Sequence, residues 1–173
     1  MKRLLLLVAV LAGSLWLGLA PVPAAAATQY TDAVNGTETA FGTTTNGVRT
    51  GVTFSGAATG ALPGIWTVMV DYTPPSPQCG GRNQFVGGTW TLALADGGMI
   101  TGTVARGSVT FDQFCALGQV EAQLIAESCT GSAVCADFRR GRGTFSGVLN
   151  HVAYYLSGGA VMPSLTGTLA LRF

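Results

Sequence analysis

The sequence predicts an all-β domain, a small antiparallel β-barrel or a β-sandwich of about seven or eight strands, following a cleaved leader. Three observations predict it. Several windows alternate apolar and polar residues with period two, as a strand with one buried face must. Helix formers are scarce: beyond residue 27 there is no Lys, and Glu occurs only at 38, 121 and 127. Turn-forming pairs separate the apolar windows at short intervals, as in all-β domains.

The chain opens with Met1-Lys2-Arg3 and an apolar run from Leu4 to Ala20, followed by Pro21, Pro23 and four alanines, 24–27. Basic start, apolar middle and Ala-x-Ala cleavage sites make 1–27 a secretory signal peptide of bacterial type. A membrane anchor is the rival reading, but the cleavage sites directly after the run favour removal, so membrane contact is transient. No Cys follows the run for lipidation, and Arg3 lacks the second Arg of a twin-arginine signal. Residues 28–173 then form a single domain, long enough to fold on its own core. That part holds seven Arg against eight acids, a net charge of −1, which argues against nucleic acid as a partner.

The strands read in order as follows. Glu38 to Thr45 is a possible first strand, and Asn46-Gly47 is a hairpin signal leading to a weaker strand, Val48 to Ser55. Ile65 to Tyr72 puts Trp66, Val68, Val70 and Tyr72 on one face. The segment Thr73 to Arg82 carries Pro74, Pro75 and Pro77, so it is a loop. Gly88 to Ala95 and Met99 to Phe111, the latter kinked near Gly107, flank the turn Asp96-Gly97-Gly98. Gln119 to Glu127, Gly143 to Leu149 and Leu165 to Phe173 complete the set, with Gly158-Gly159 opening the last loop. Two short echoes, Thr53 to Gly56 in Thr144 to Gly147 and Thr101 to Thr103 in Thr166 to Thr168, fit chance in a Thr/Gly-rich chain better than duplication. A closed version of this set is calycin-like in architecture, with no family motif matched residue by residue. A barrel of about eight strands can hold one small apolar ligand.

All four cysteines, Cys79, Cys115, Cys129 and Cys135, follow the leader, and an even number suits an oxidising, extracytoplasmic location. If residues 64–127 run as an up-and-down meander, the pairing is Cys79–Cys115 and Cys129–Cys135, at opposite ends. A zinc site is disfavoured because no Cys-x-x-Cys occurs and His151 is the sole histidine. No metal or cofactor motif is present.

Candidate site residues are few. His151 is the only possible centre of a nucleophile–His–acid set, with Asp137 the nearest acid in sequence, but no nucleophile elbow accompanies it. Asp71 interrupts an apolar strand; it is either a solvent-facing acid or a polar group that orients a ligand inside a barrel. Arg139, Arg140 and Arg142 form the one dense charge cluster, an anion site or a solvated edge.

These features favour an exported, disulfide-stapled, non-catalytic β domain with a binding or structural role, whose partner is a small molecule or a cell-envelope component. One alternative is a secreted hydrolase or isomerase in which His151, an acid and Arg139 or Arg142 converge. A second is a small outer-membrane barrel, suggested by the alternating C-terminal segment that ends on Phe173. Oligomeric state is open, since Thr-rich strands could pair edge to edge.

Overall fold

Each strand pairs antiparallel with the next in sequence, and the last returns to the first, so the sheet closes into an eight-stranded barrel. The computed structural model describes residues 27–136 and 138–173; residues 1–26 of the expected leader, and Asp137, lie outside that range. The strands are β1 (Gln29–Thr45), β2 (Val48–Gly60), β3 (Gly64–Thr73), β4 (Arg82–Leu94), β5 (Met99–Phe111), β6 (Leu117–Thr130), β7 (Gly141–Asn150) and β8 (Ser164–Arg172). A 3-10 turn at Ala133–Cys135 and one short helix, α1 (Val152–Leu156), are the other regular elements described.

Closure is made by β1 and β8, paired from Gln29↔Arg172 to Thr37↔Ser164. Backbone bonds between Thr28 and Phe173 extend the seam at 3.0 and 3.2 Å. With no open edge, the structure is a barrel and not the sandwich.

The alternation then sorts residues by wall. Inside stand Val34, Phe54, Trp66, Leu92, Leu124 and Leu169, all buried. Outside stand Thr53, Thr91, Thr101, Glu121, Ser146 and Thr168, each half-buried or exposed. This polarity is the reverse of a lipid-spanning barrel, which carries its apolar band outside and its polar residues inside. It argues directly against the outer-membrane alternative.

The up-and-down order gives the barrel two ends. Turns at 61–63 and 95–98 and the residues that follow β6 lie at one end with the start of β1 and the end of β8, here called the floor. Loops 46–47, 74–81, 112–116 and 151–163 lie at the other, the mouth. The Asn46-Gly47 hairpin has both residues at positive φ, 51° and 77°, as a two-residue type I′ turn requires. Cys79 is joined to Cys115 at the mouth, and Cys129 to Cys135 at the floor, with Cα separations of 4.7 and 5.2 Å. Leu62, Leu94, Ile100 and Leu171 fill the floor end of the core.

β1 begins nine residues before the strand expected from Glu38. Its inward face reads Asp32, Val34, Gly36, Glu38, and the two acids and the glycine mask the apolar alternation. Asp32 earns its buried place by accepting the Leu62 N–H at 2.7 Å, which ties the turn after β2 to β1.

The two disulfides close loops of different length, with sequence separations of 36 and 6. Chain entropy then gives about 3–4 kcal/mol for the longer and roughly 2–2.5 kcal/mol for the shorter. Replacing Cys79 and Cys115 together by Ser should therefore lower the urea midpoint more than the same change at Cys129 and Cys135.

Candidate functional site

Ring size decides where the barrel is solid and where it is hollow. At mid-height Trp66 on β3 stacks on Phe145 of β7 with centroids 5.5 Å apart and planes at 16°. Trp90 on β4 lies alongside, its Nε1–H donating to the Ile125 carbonyl of β6 at 3.2 Å. The wall makes room for these rings with glycine: a Cβ on Gly102 would stand 2.7 Å from Trp90 Nε1, and one on Gly167 would stand 2.8 Å from Phe145 Cζ. Towards the mouth the lining mixes Val70, Val104, Val109 and Val120 with the larger Phe85, Phe111, Leu149 and Leu165, and leaves a cavity of about 80 Å³. An apolar cavity of about 150 Å³ holds one benzene, so this one takes roughly three or four heavy atoms. Glu38, Tyr72, Pro77 and His151 complete its lining towards the mouth.

Each of these four is set in place by a specific backbone feature. β8 stops pairing with β1 at Thr37, and the Glu38 N–H donates instead to the Pro163 carbonyl at 2.9 Å. A register shift between Glu38 and Ala40 follows at once. Tyr72 faces Arg49 across the β2–β3 pair, and Arg49 Nε donates to the Phe41 carbonyl at 2.6 Å. Pro77 belongs to the proline loop, which is folded around fully buried Asn83: its Oδ1 accepts from Gln78 N, and its Nδ2 donates to the carbonyls of Pro74 and Ser76.

His151 is buried and stacks on Phe111 with centroids 5.6 Å apart. Its Nδ1 lies 3.0 Å from the Cys115 carbonyl. A carbonyl only accepts, so Nδ1 carries the proton and the neutral ring keeps Nε2 as an acceptor. Burial pushes the imidazole below its ordinary value, opposed by the Cys115 bond and the nearby Asp112 carboxylate. The 112–116 loop is itself held by Asp112, whose carboxylate accepts the N–H groups of Phe114, Ala116 and Leu117 at 3.1, 2.8 and 3.2 Å.

Glu38 is the group that sequence reading passed over. It is only 7% exposed and lines the hollow, so desolvation raises its pKa to about 7, and Arg49 only partly offsets this. Burial raises Tyr72 as well, with Arg49 again opposing. The mouth loops expose Phe114 at 82% and Leu156 at 84%, and also Val152 and Tyr155.

The other sequence candidates lie elsewhere. Asp71 points to the outer face, where its Oδ1 accepts the Gly51 N–H at 2.8 Å and props the irregular start of β2. It is not part of the cavity lining. Arg139, Arg140 and Arg142 sit at the floor end, on the far side of the molecule from the mouth. Arg140 pairs loosely with Glu127 at 3.9 Å, both side chains well exposed. From Arg142 to His151 the chain runs the length of β7, about 30 Å at ~3.3 Å per residue, so the arginines and His151 do not converge. Among the described residues no cluster of three or more metal-ligating side chains occurs.

No family model, no curated protein and no solved structure matches this chain.

The raised Glu38 pKa has a signed consequence for stability. Between about pH 4.5 and 7 the unfolded chain releases this proton while the folded chain keeps it, so stability falls as pH rises through that window and levels above it. Glu38→Gln should therefore match the parent near pH 4 and exceed it near pH 8, by about 1–2 kcal/mol after screening through the mouth. Denaturant curves at the two pH values check it.

Proposed function

We propose that this protein is an exported, non-catalytic binding domain that takes a small apolar molecule into the upper half of its barrel through the mouth. The observation that carries this reading is the cavity itself: a hollow walled by aliphatic side chains and aromatic rings, above a packed floor. Interiors are normally packed without voids, and an apolar void of this kind accepts apolar guests. Two disulfides suit an oxidising, extracytoplasmic environment. The leader read from the sequence supplies the route of export.

Native mass spectrometry of the protein recovered from its host's culture fluid tests the reading. The expected result is a mass for residues 28–173 less four hydrogens, with a noncovalent adduct lost on activation. A bare protein that also takes up no added 2-methylpropene would overturn it.

A second reading, a hydrolase or isomerase working in the same pocket, rests on one observation. A carboxyl held protonated to about pH 7 and a neutral imidazole with a free acceptor both line the cavity. The two readings differ in what the pocket retains. A carrier yields the same compound from the parent and from Glu38→Gln; an enzyme yields product from the parent and accumulated substrate from the variant.

A further inference from the structure

Glu38 stands on the inward face of β1, in line with Asp32, Val34 and Gly36, and is buried. Its carboxyl nevertheless has no partner. No N–H or O–H of the described residues donates to it, and the one ion pair among them joins Arg140 to Glu127. Arg49, the cation nearest in effect, commits its Nε to the Phe41 carbonyl. The buried side-chain atoms that are both unpaired and sealed are Asp32 Oδ2 and Trp66 Nε1. The Glu38 oxygens are not among them, so they keep accessible surface, and Glu38 lines the cavity. A buried carboxyl that is reachable and unpaired is costly unless something comes to meet it.

Resting on the binding reading above, we propose that Glu38 holds the polar head of the guest, and that the guest is a short primary alkylamine, bound as its ammonium ion with the alkyl tail in the hollow. The donor and acceptor inventory of the lining selects this class. His151 Nδ1 is taken by the Cys115 carbonyl, which leaves Nε2 as an acceptor, and Nε2 is likewise not sealed. Trp90 is engaged by Ile125, and the Trp66 N–H is out of reach. The reachable polar side chains are therefore a carboxyl, an imidazole acceptor and the Tyr72 phenol. An anionic head would meet Glu38 with no Arg or Lys in the lining to pair it. A ketone would depend on the phenol alone, and an alcohol brings a single proton. An ammonium brings three donors and the missing charge. The carboxyl is already out of water in the folded chain, so the guest gains its attraction without desolvating that group on arrival. The hollow takes roughly three or four heavy atoms, which sets the tail at about three carbons.

The test uses the exported protein and three probes of equal heavy-atom count: propylamine hydrochloride, 1-propanol and 2-methylpropene. Beyond the leader Glu occurs only at 38, 121 and 127, so a sample ¹³C-labelled at the Glu carboxyls shows three resonances, two of them internal references. Propylamine should bind with a Kd of about a millimolar at pH 8, about tenfold tighter than 1-propanol. At saturation it should lower the pH at which Glu38 titrates by about one unit and leave Glu121 and Glu127 in place. Below pH 7 the ammonium must displace the Glu38 proton, so its affinity should fall about tenfold from pH 8 to pH 6. Of the other groups facing the site, Arg49 keeps its charge, Tyr72 stays neutral, and any protonation of His151 acts in the same direction. Glu38→Gln should remove the advantage over 1-propanol and leave 2-methylpropene binding unchanged, so the variant keeps the same guest at lower occupancy. If 2-methylpropene binds but propylamine is no tighter than 1-propanol, or keeps its advantage in Glu38→Gln, the amine is overturned and the binding reading stands. If no probe binds, both fall. Should Glu38→Gln fail to fold, the displacement of the Glu38 titration in the parent decides the question alone.

Discussion

Everything in this molecule depends on the seam between β1 and β8. Nine residue pairs, from Gln29↔Arg172 to Thr37↔Ser164, convert a twisted eight-stranded ribbon into a closed surface. Once closed, every strand has two neighbours, every inward side chain faces a shared interior, and the bore is fixed by strand number and tilt. An eight-stranded bore is barely wide enough for side chains to fill. Small differences in side-chain size along the axis therefore decide between solid core and hollow. Leucines and isoleucine close the floor, two indoles and a phenyl ring cross the middle, and a mixed lining of valines, Phe85, Phe111, Leu149 and Leu165 leaves a hollow towards the mouth.

The place where the seam ends matters as much as its existence. β1 parts from β8 at Thr37, and the next residue is Glu38. The strand then continues with β2 alone to the Asn46-Gly47 turn, overhanging the barrel. The gap this leaves beside β8 is filled by the 151–163 loop, through Pro163 to the Glu38 backbone and through Tyr154 against Phe41, ring centroids 5.8 Å apart. The polar lining of the cavity is thus a by-product of an unequal pair of strands. His151 enters from the loop that covers the gap, Glu38 from the strand that outruns its neighbour, and Tyr72 from the strand beneath the overhang.

Much of this was legible in the sequence, and the exceptions have physical causes. Period-two windows such as Ile65 to Tyr72 and Gln119 to Glu127 lie within β3 and β6 because their inward residues are uniformly apolar. β1 was half hidden because its inward face includes two carboxyls that only the folded barrel explains. β4 begins at Arg82, six residues before the alternation becomes regular, because Gly87 and Gly88 sit beside a register shift opposite Asp71 and Tyr72. The short helix after His151 leaves no apolar period, since five residues make little more than one turn. The site was harder still. His151 drew notice as the lone histidine, but Glu38 gains its character from a hollow formed by residues of other strands, and Trp90 finds its acceptor, the Ile125 carbonyl, only once β6 lies beside β5. Arg139, Arg140 and Arg142 stood out by density, a property of the chain and not of any concave surface.

The bond from Cys79 to Cys115 draws two mouth loops together, and the Cys115 carbonyl holds the His151 ring. One covalent tie therefore runs from the proline loop to the wall of the cavity. In a reducing solution the barrel's ladder remains and this tie does not. The entrance then becomes the part of the molecule whose order reports on the redox state of its surroundings. A reduced chain and an oxidised one differ least in their core and most in their doorway.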